Sequence, residues 1–194
     1  MFIDFTDKER VIQDSWKNWS YYADCKEEQW LMKPSDWVAE VLKKLPKNID
    51  TVYDFGCGNG RNFIPFEKSD RKFKLKGYDI HPEEEIKWAY NFVDIDYTRA
   101  SIQKVCEESY KFHDSLKNSL VMTAGTLMYV TPETQNLFLK KMQDNFCSNF
   151  AFFEHEPESK RPDGVFGIPT KSFNIIKPAG YSQKSPGVVY YRLS

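Results

Sequence analysis

The sequence has few cysteines, almost no net charge and no long apolar run. Its 194 residues include 4 cysteines, and 27 Lys+Arg against 28 Asp+Glu give a formal net charge of −1. The cysteines form no CxxC pair and have no histidine at ligand spacing, so we expect reduced thiols and no metal site. The small net charge disfavours nucleic acid as the partner, because nucleic-acid-binding proteins usually have a basic excess.

No segment predicts membrane insertion or secretion. The longest apolar stretch, residues 120–130, contains two threonines and is too short to cross about 30 Å of hydrocarbon. The first ten residues lack the basic and apolar regions of a secretory signal. We therefore expect a cytoplasmic protein with no membrane partner, while the oligomeric state stays open.

Residues 1–46 are predicted to form a helical cap that belongs to the same domain as residues 47–194. Thr6 and Glu9 have capping-box spacing, and a second helix is predicted to begin near Ser35 and to end before Pro46. The segment is rich in aromatic residues: Trp16, Trp19, Tyr21, Tyr22, Trp30 and Trp37. These rings either pack the two helices onto the domain or form a lid over a ligand.

From residue 49 onward, short apolar runs alternate with helical patterns. Strands are predicted at 49–55, 74–80, 92–95, 120–124, 150–153 and 187–193. Helices are predicted to begin at His81 and at Thr131, and another over 102–112. This alternation predicts an α/β fold with three layers, in which a doubly wound, mostly parallel sheet is covered on both faces.

A glycine cluster follows the first predicted strand, in the segment Asp54-Phe55-Gly56-Cys57-Gly58-Asn59-Gly60-Arg61. A dinucleotide fingerprint would need its third glycine at position 61, and no Lys-Ser/Thr pair completes a P-loop. Asp54 also disfavours a pyrophosphate and suits a ligand that carries positive charge. Asp79, 19 residues beyond Gly60, ends the next predicted strand, where a carboxylate can accept both hydroxyls of a ribose.

These segments resemble the class I S-adenosylmethionine (SAM)-dependent methyltransferases. TVYDFGCGNGRNF is similar to their first motif, LKGYDI to their second and SLVMTAGTLMYVTPE to their fourth, and the resemblance extends over residues 49–194. It implies SAM as cofactor and a set of residues around it: Asp54, Gly56, Cys57, Gly58, Gly60, Asp79, Ile80, Asp94, Thr123 and Ala124.

The resemblance also implies a role for each residue. The glycines and Asp54 would line the methionine and ribose portions, and Asp79 would hold the ribose hydroxyls. Ile80 would lie beside the adenine and Asp94 or Asp96 near its amine. Thr123 and Ala124 would face the sulfonium, and Cys57 is a small side chain that fits the turn.

Methyl transfer from a sulfonium needs alignment and exclusion of water, and it needs a base only when the acceptor carries a proton to lose. His155, between Glu154 and Glu156 at the end of the fifth predicted strand, is the best candidate base. The alternatives are that it is a loop histidine exposed to solvent, or that it hydrogen-bonds the backbone. Tyr129 is the second catalytic candidate, because it could orient a substrate or cap the sulfonium edge; the alternative, which the sequence favours somewhat, is that it packs under the following helix.

Three functions remain open. The first is methylation of a small molecule, such as the hydroxyl of a sugar or another metabolite. The second is methylation of RNA or protein, which a basic strip would assist: Lys43, Lys44, Lys47, Arg71, Lys72, Lys74 and Lys76. The third is SAM binding without catalysis. Residues 123–126 lack the (N/D)PP(Y/F) tetrad of DNA amino-group methylases, which disfavours that subclass.

Overall fold

The computed structural model describes residues 32–127, 130–155, 174–176 and 187–193. The predicted first helix and the aromatic residues before Met32 lie outside these ranges. The described helices are α1 (Asp36–Lys44), α2 (Ile64–Glu67), α3 (Ile102–Cys106) and α4 (Pro132–Asp144). The strands are β1 (Thr51–Phe55), β2 (Lys74–Asp79), β3 (Ile95–Arg99), β4 (Ser119–Ala124), β5 (Asn149–His155), β6 (Asn174–Ile176) and β7 (Gly187–Arg192).

These seven strands form one sheet in the order β3-β2-β1-β4-β5-β7-β6. Strands β1 to β5 run parallel, and β7 lies antiparallel between β5 and β6. The direction of the strand order reverses between β1 and β4. Ligands of open α/β sheets bind at such a switch point, beyond the carboxyl ends of the strands.

The sheet is covered on both faces, which confirms the predicted three-layer architecture. On one face α1 places Trp37, Val38 and Val41 in a cluster with Val52 of β1. On the other face Phe138 and Met142 of α4 and Val105 of α3 pack against Tyr53 and Phe55 of β1. All five residues of β1 are buried, as expected of a central parallel strand.

The segment after β2 differs from the prediction. The helix predicted from His81 is only a 3₁₀ turn, Glu83–Glu85. The third strand begins at Ile95, whereas 92–95 was predicted. Phe92 instead packs its ring against Phe63 and Trp88. The helix predicted over 102–112 ends at Cys106, and β6 was not predicted.

The helices within the described ranges include none that is long and apolar enough to cross a membrane.

Candidate functional site

The loop that joins β1 to α2 is a tight turn built on three glycines, residues 56–60, called here the glycine turn. Gly56, Gly58 and Gly60 have φ of 78°, 52° and 73°, values that favour glycine because it has no Cβ. The N–H groups of Gly56 and Cys57 donate to the carbonyl of Tyr78 over 2.7 and 3.0 Å. The turn is therefore fixed to the end of β2.

The three glycines have different surroundings. A Cβ on Gly56 would overlap the side chain of Thr126, and one on Gly60 would lie 3.0 Å from the Trp88 ring. At Gly58 a Cβ would have no heavy atom within 4 Å. Gly58 is therefore the point at which a ligand can approach the backbone of the turn.

Asp79, the last residue of β2, is bound directly to the glycine turn. Its Oδ2 accepts the N–H of Gly58 over 2.8 Å, and its Oδ1 accepts the N–H of Ile80 over 2.8 Å. Burial opposes ionisation of this carboxyl, but hydrogen bonds and charge from His81 and the Gly58 N–H outweigh it, so the pKa of Asp79 is lowered. Asp79 is therefore an anionic acceptor at neutral pH.

Asp54 and Arg61 place opposite charges on either side of the glycine turn. Asp54 is 1% exposed and lies in β1 between Gly77 of β2 and Met122 of β4. Burial lowers the pKa of the Arg61 guanidinium, and the charge of Asp54 partly opposes that effect. A zwitterionic ligand would meet both signs of charge here.

Cys57 packs inside the turn, as its small size predicts. Its Sγ would lie 2.9 Å from a Cβ on Gly77, so the thiol fills the space above that glycine. Burial raises the pKa of Cys57 well above the ordinary thiol value. The thiol is therefore protonated and is not a nucleophile at neutral pH.

The loop after β4 forms the opposite wall of the site. Thr123 is fully buried, Gly125 has a φ of 72°, and the Gly125 N–H donates to the carbonyl of Phe153 over 2.7 Å. The buried amide of Gln135 donates from Nε2 to the carbonyls of Leu127 and Val130 over 2.9 and 3.3 Å. This loop is thus braced from β5 and from α4.

Most of the predicted cofactor residues lie at the carboxyl ends of β1, β2 and β4, at one edge of the sheet: Asp54, Gly56, Cys57, Gly58, Gly60, Asp79, Ile80, Thr123 and Ala124. Asp94 does not join them. It is exposed and precedes β3, whose first residue, Ile95, pairs with Leu75 near the start of β2. The structure therefore places Asp94 towards the amino end of the strands, away from Asp79.

Asp96, the alternative adenine-contacting residue, lies in β3 and forms an ion pair with Lys76 at 3.0 Å. Ala100 and Ser101 follow the carboxyl end of β3 and carry no acid to that edge. Of the two catalytic candidates, Tyr129 lies outside the described residues. His155 ends β5 opposite Gly187 of β7, and its side chain is outside the described part.

Sequence reasoning missed several residues that the fold brings to this edge. Trp88 lies against Gly60 and packs edge-to-face on Tyr97 of β3, with ring centroids 5.8 Å apart. The Ala89 N–H donates to the carbonyl of Asn59 over 2.9 Å. Trp88 lies 28 residues beyond Gly60, and no local sequence pattern indicates that the two are in contact. Only the path of the chain after β2 brings Trp88 next to the glycine turn.

Neither a protein-family model nor a curated protein matches the sequence. Solved structures do match. Magnesium protoporphyrin IX methyltransferase from Synechocystis PCC 6803 with bound SAH has a TM-score of 0.62 at 14% identity, over 97% of this chain and 100% of that one. The plantazolicin methyltransferase BpumL, in complex with SAH, has a TM-score of 0.57 at 11% identity, over 96% of each chain.

A third match is the small RNA methyltransferase HEN1, with a TM-score of 0.54 at 14% identity, over 81% of this chain and 25% of that one. The strand order, the glycine turn and these similarities agree on one architecture. The chain has the fold of the class I SAM-dependent methyltransferases.

Proposed function

We propose that the protein binds SAM at the glycine turn and transfers its methyl group to a small-molecule acceptor. The observation that carries this proposal is the pairing of Gly58 with Asp79. The turn is open at Gly58, and the ionised carboxylate of Asp79 is held beside it by the Gly58 N–H at 2.8 Å. An uncrowded backbone next to a buried anionic acceptor suits a ribose.

The charges of the site fit the methionine portion of the same molecule. The carboxylate of Asp54 would bind the amino group of SAM and face its sulfonium. The guanidinium of Arg61 would bind the carboxylate of SAM. The aromatic rings of Trp88 and Tyr97, beyond Gly60, offer an apolar surface for the adenine. Asp94 has no role in this assignment, because it immediately precedes β3 and lies towards the amino ends of the strands.

Bound SAM supplies an electrophilic methyl group on a sulfonium, so the protein itself has little covalent chemistry to perform. Thr123, Ala124 and the braced loop after β4 position the acceptor side and exclude water. His155, at the end of β5, accepts the proton of an acceptor hydroxyl, and Tyr129 orients the acceptor. Both roles stay predictions from the sequence.

The small-molecule acceptor is favoured over RNA by the state of the basic strip. Lys76 is bound to Asp96 and Asp114 at 3.0 and 3.2 Å, and Lys43 is bound to Glu40 at 2.8 Å. Arg71 donates to the carbonyls of Pro46 and Ile49 over 2.8 and 2.7 Å. Three of the seven basic residues of the strip thus form ion pairs or hydrogen bonds within the protein.

Two alternatives to the proposed function remain. The first is methyl transfer to RNA or protein, and the second is SAM binding without catalysis.

The experiment is incubation of the purified protein with methyl-labelled SAM and a size-fractionated extract of its source organism. Label in the low-mass fraction supports the proposal. Label in RNA or protein supports the second alternative, and bound SAM without transfer supports the third. Absence of SAM binding contradicts the proposal altogether.

Matched variants separate cofactor binding from chemistry. Asp79→Asn should abolish measurable SAM binding, while Asp96→Asn, in the exposed ion pair of β3, should leave it unchanged. His155→Ala should reduce label transfer at least tenfold at unchanged SAM affinity, and His113→Ala serves as its control. Full activity of His155→Ala would remove that residue as the base.

A further inference from the structure

Arg99 is the last residue of β3 and lies at the carboxyl edge of the sheet, opposite Asp79 of β2 in the strand register. The proposed function places a ribose at Asp79 and the methionine portion on the β1 side, at Asp54 and Arg61. The base and the 5′ carbon are attached at opposite ends of a ribose, so the adenine extends from Asp79 towards β3. It therefore reaches the end of the strand that carries Arg99.

Arg99 also shares a face of β3 with the proposed adenine surface. Alternate residues of a strand point to the same face, so Arg99 lies one step beyond Tyr97 towards the carboxyl edge. Trp88 packs on the Tyr97 ring, with centroids 5.8 Å apart. Arg99 thus borders the surface that these two rings form.

The Arg99 guanidinium is fixed at one nitrogen and open at the other two. Its Nε donates to the carbonyl of Ile80 over 3.1 Å, and the residue is exposed. Within the described ranges, the two Nη groups have no hydrogen-bond partner and no ion-pair partner. Because a guanidinium is planar and rigid, the bond at Nε holds its plane and leaves the N–H donors of both Nη groups for a ligand.

The acids near β3 do not reach this edge. Asp94 lies towards the amino ends of the strands, and Asp96 is bound to Lys76 at 3.0 Å. A guanidinium has only donors, whereas adenine has ring nitrogens that accept and an amino group that donates. Arg99 can therefore pair with a ring nitrogen of the base and not with its amino group.

We propose that Arg99 recognises the adenine of SAM by donating from its Nη groups to a ring nitrogen, and that the 6-amino group contributes little to affinity. The inference rests on the proposed function, since it concerns the base of the same cofactor. The competing explanation is the carboxylate of Glu83, which is exposed in the turn after β2 and would accept from the 6-amino group.

The first test compares Arg99→Met with Lys74→Met by calorimetric titration of SAH. Methionine keeps most of the stem of Arg99 and removes every donor. Lys74, the exposed first residue of β2, lies at the opposite edge of the sheet, so its substitution removes the same charge far from the site. We expect Arg99→Met to bind SAH at least fivefold more weakly than the parent, and Lys74→Met to bind equally. Equal binding by Arg99→Met overturns the inference.

The second test separates a contact with the base from the brace that Arg99 gives to the Ile80 carbonyl. SAH is compared with its 1-deaza, 3-deaza and 7-deaza analogues, in each of which carbon replaces one ring nitrogen. We expect the parent to bind at least one analogue threefold or more weakly than SAH, and Arg99→Met to bind that analogue and SAH equally. A brace alone would weaken all four ligands by the same factor in Arg99→Met, and that result overturns the inference.

The third test decides between Arg99 and an acid, and it uses the parent protein alone. The SAH analogue that lacks the 6-amino group should bind within twofold of SAH. A larger loss supports a carboxylate acceptor and overturns the inference. If the parent binds no SAH at all, the proposed function fails, whereas SAH binding without these effects of the base refutes only the role of Arg99.

Discussion

Thr126 lies directly against Gly56, and its side chain fills the space that a Cβ on Gly56 would need. The loop after β4 and the glycine turn therefore touch at the centre of the site, on either side of the switch point between β1 and β4. Because this contact joins the proposed cofactor wall to the proposed acceptor wall, we expect a substitution in one wall to affect the other.

The first prediction contrasts two glycines of the same turn. Gly56→Ala forces an alanine to a φ of 78° and into Thr126, and should cost about 2–5 kcal/mol of unfolding free energy. Gly58→Ala meets no neighbour and should cost about 1–2 kcal/mol, yet weaken SAH binding at least tenfold. Urea denaturation and calorimetry measure both. Equal stability losses would show that the contact with Thr126 is not a constraint.

The second prediction concerns the pH dependence of stability that Asp79 contributes. Because the pKa of Asp79 is lowered in the folded protein, its contribution is complete above the ordinary aspartate pKa of about 3.9. It is lost as the pH falls from there through the lower folded-state pKa.

The stability difference between the parent and Asp79→Asn, which includes the contact between Asp79 and His81, should therefore shrink as the pH falls below 4. Denaturant titration across this range measures it, with Asp96→Asn as the exposed control. A difference that does not change with pH would show that Asp79 gains nothing from ionisation in the folded state.

The third prediction concerns Gln135, which is fully buried and braces the loop after β4 through two carbonyls. Its Oε1 has no hydrogen-bond partner among the described residues. Burial of this oxygen therefore reduces the free energy of unfolding and offsets part of what the two hydrogen bonds contribute. Gln135→Met should therefore lower stability by only about 1–2 kcal/mol.

The same substitution should release the loop that holds Thr126 against Gly56. We expect faster amide hydrogen exchange at Gly125 and Val130, together with weaker SAH binding. Gln143→Met, exposed on the same helix, is the control. Unchanged exchange in Gln135→Met would indicate that other contacts hold the loop.

The fourth prediction concerns Arg71, which ties the end of α1 to β1. Its guanidinium donates to the carbonyls of Leu45, Pro46 and Ile49 over 2.7 to 3.1 Å. Arg71→Met should cost about 2–3 kcal/mol, because charge-assisted hydrogen bonds to three carbonyls are lost. Arg71→Lys should recover only part of this, since an ammonium cannot reproduce the planar fork. Thermal and urea unfolding test it, with Lys72→Met as the exposed control.

The fifth prediction concerns the thiols. Burial raises the pKa of Cys106 to about 11 and that of Cys147 to about 12, and it raises the pKa of Cys57 well above the ordinary value. In a Cys25→Ser background, none of the three should react appreciably with a disulfide reagent at pH 8. All three should react at once in denaturant. Rapid labelling of one thiol in the native protein would show that its surroundings open.

The sequence was sufficient to predict the centre of the sheet and to select residues most of which the fold brings to one edge of it, whereas their roles towards a cofactor stay predictions. Phe55 ends a short, mostly apolar strand, Tyr78 lies in a short strand in which buried and more exposed residues alternate at first, and the three glycines are spaced as a turn requires. In these segments the local pattern and the tertiary structure agree. The same holds for α4, where Thr131 caps the helix by accepting the N–H of Thr134 over 3.3 Å.

The segment after β2 could not be predicted because tertiary packing overrides its local signals. Proline and three glutamates at 82–85 favour a helix start, but a helix this short is stable only if it buries an apolar face. Trp88 and Phe92 are used instead to cover Gly60. β3 has only half-buried or exposed residues, so its polar sequence lacks the apolar run that identifies a strand.

The position of β7 has a consequence for the order in which the chain folds. β7 lies between β5 and β6 in the sheet but follows both in the sequence. During synthesis on the ribosome, β1 to β4 and the glycine turn can pair as soon as they emerge, whereas β5 keeps an open edge until residues 187–192 arrive. That edge can pair with another chain in the interval. Early termination before β7 should therefore yield a protein that aggregates, even though every cofactor-binding residue proposed here has already been made.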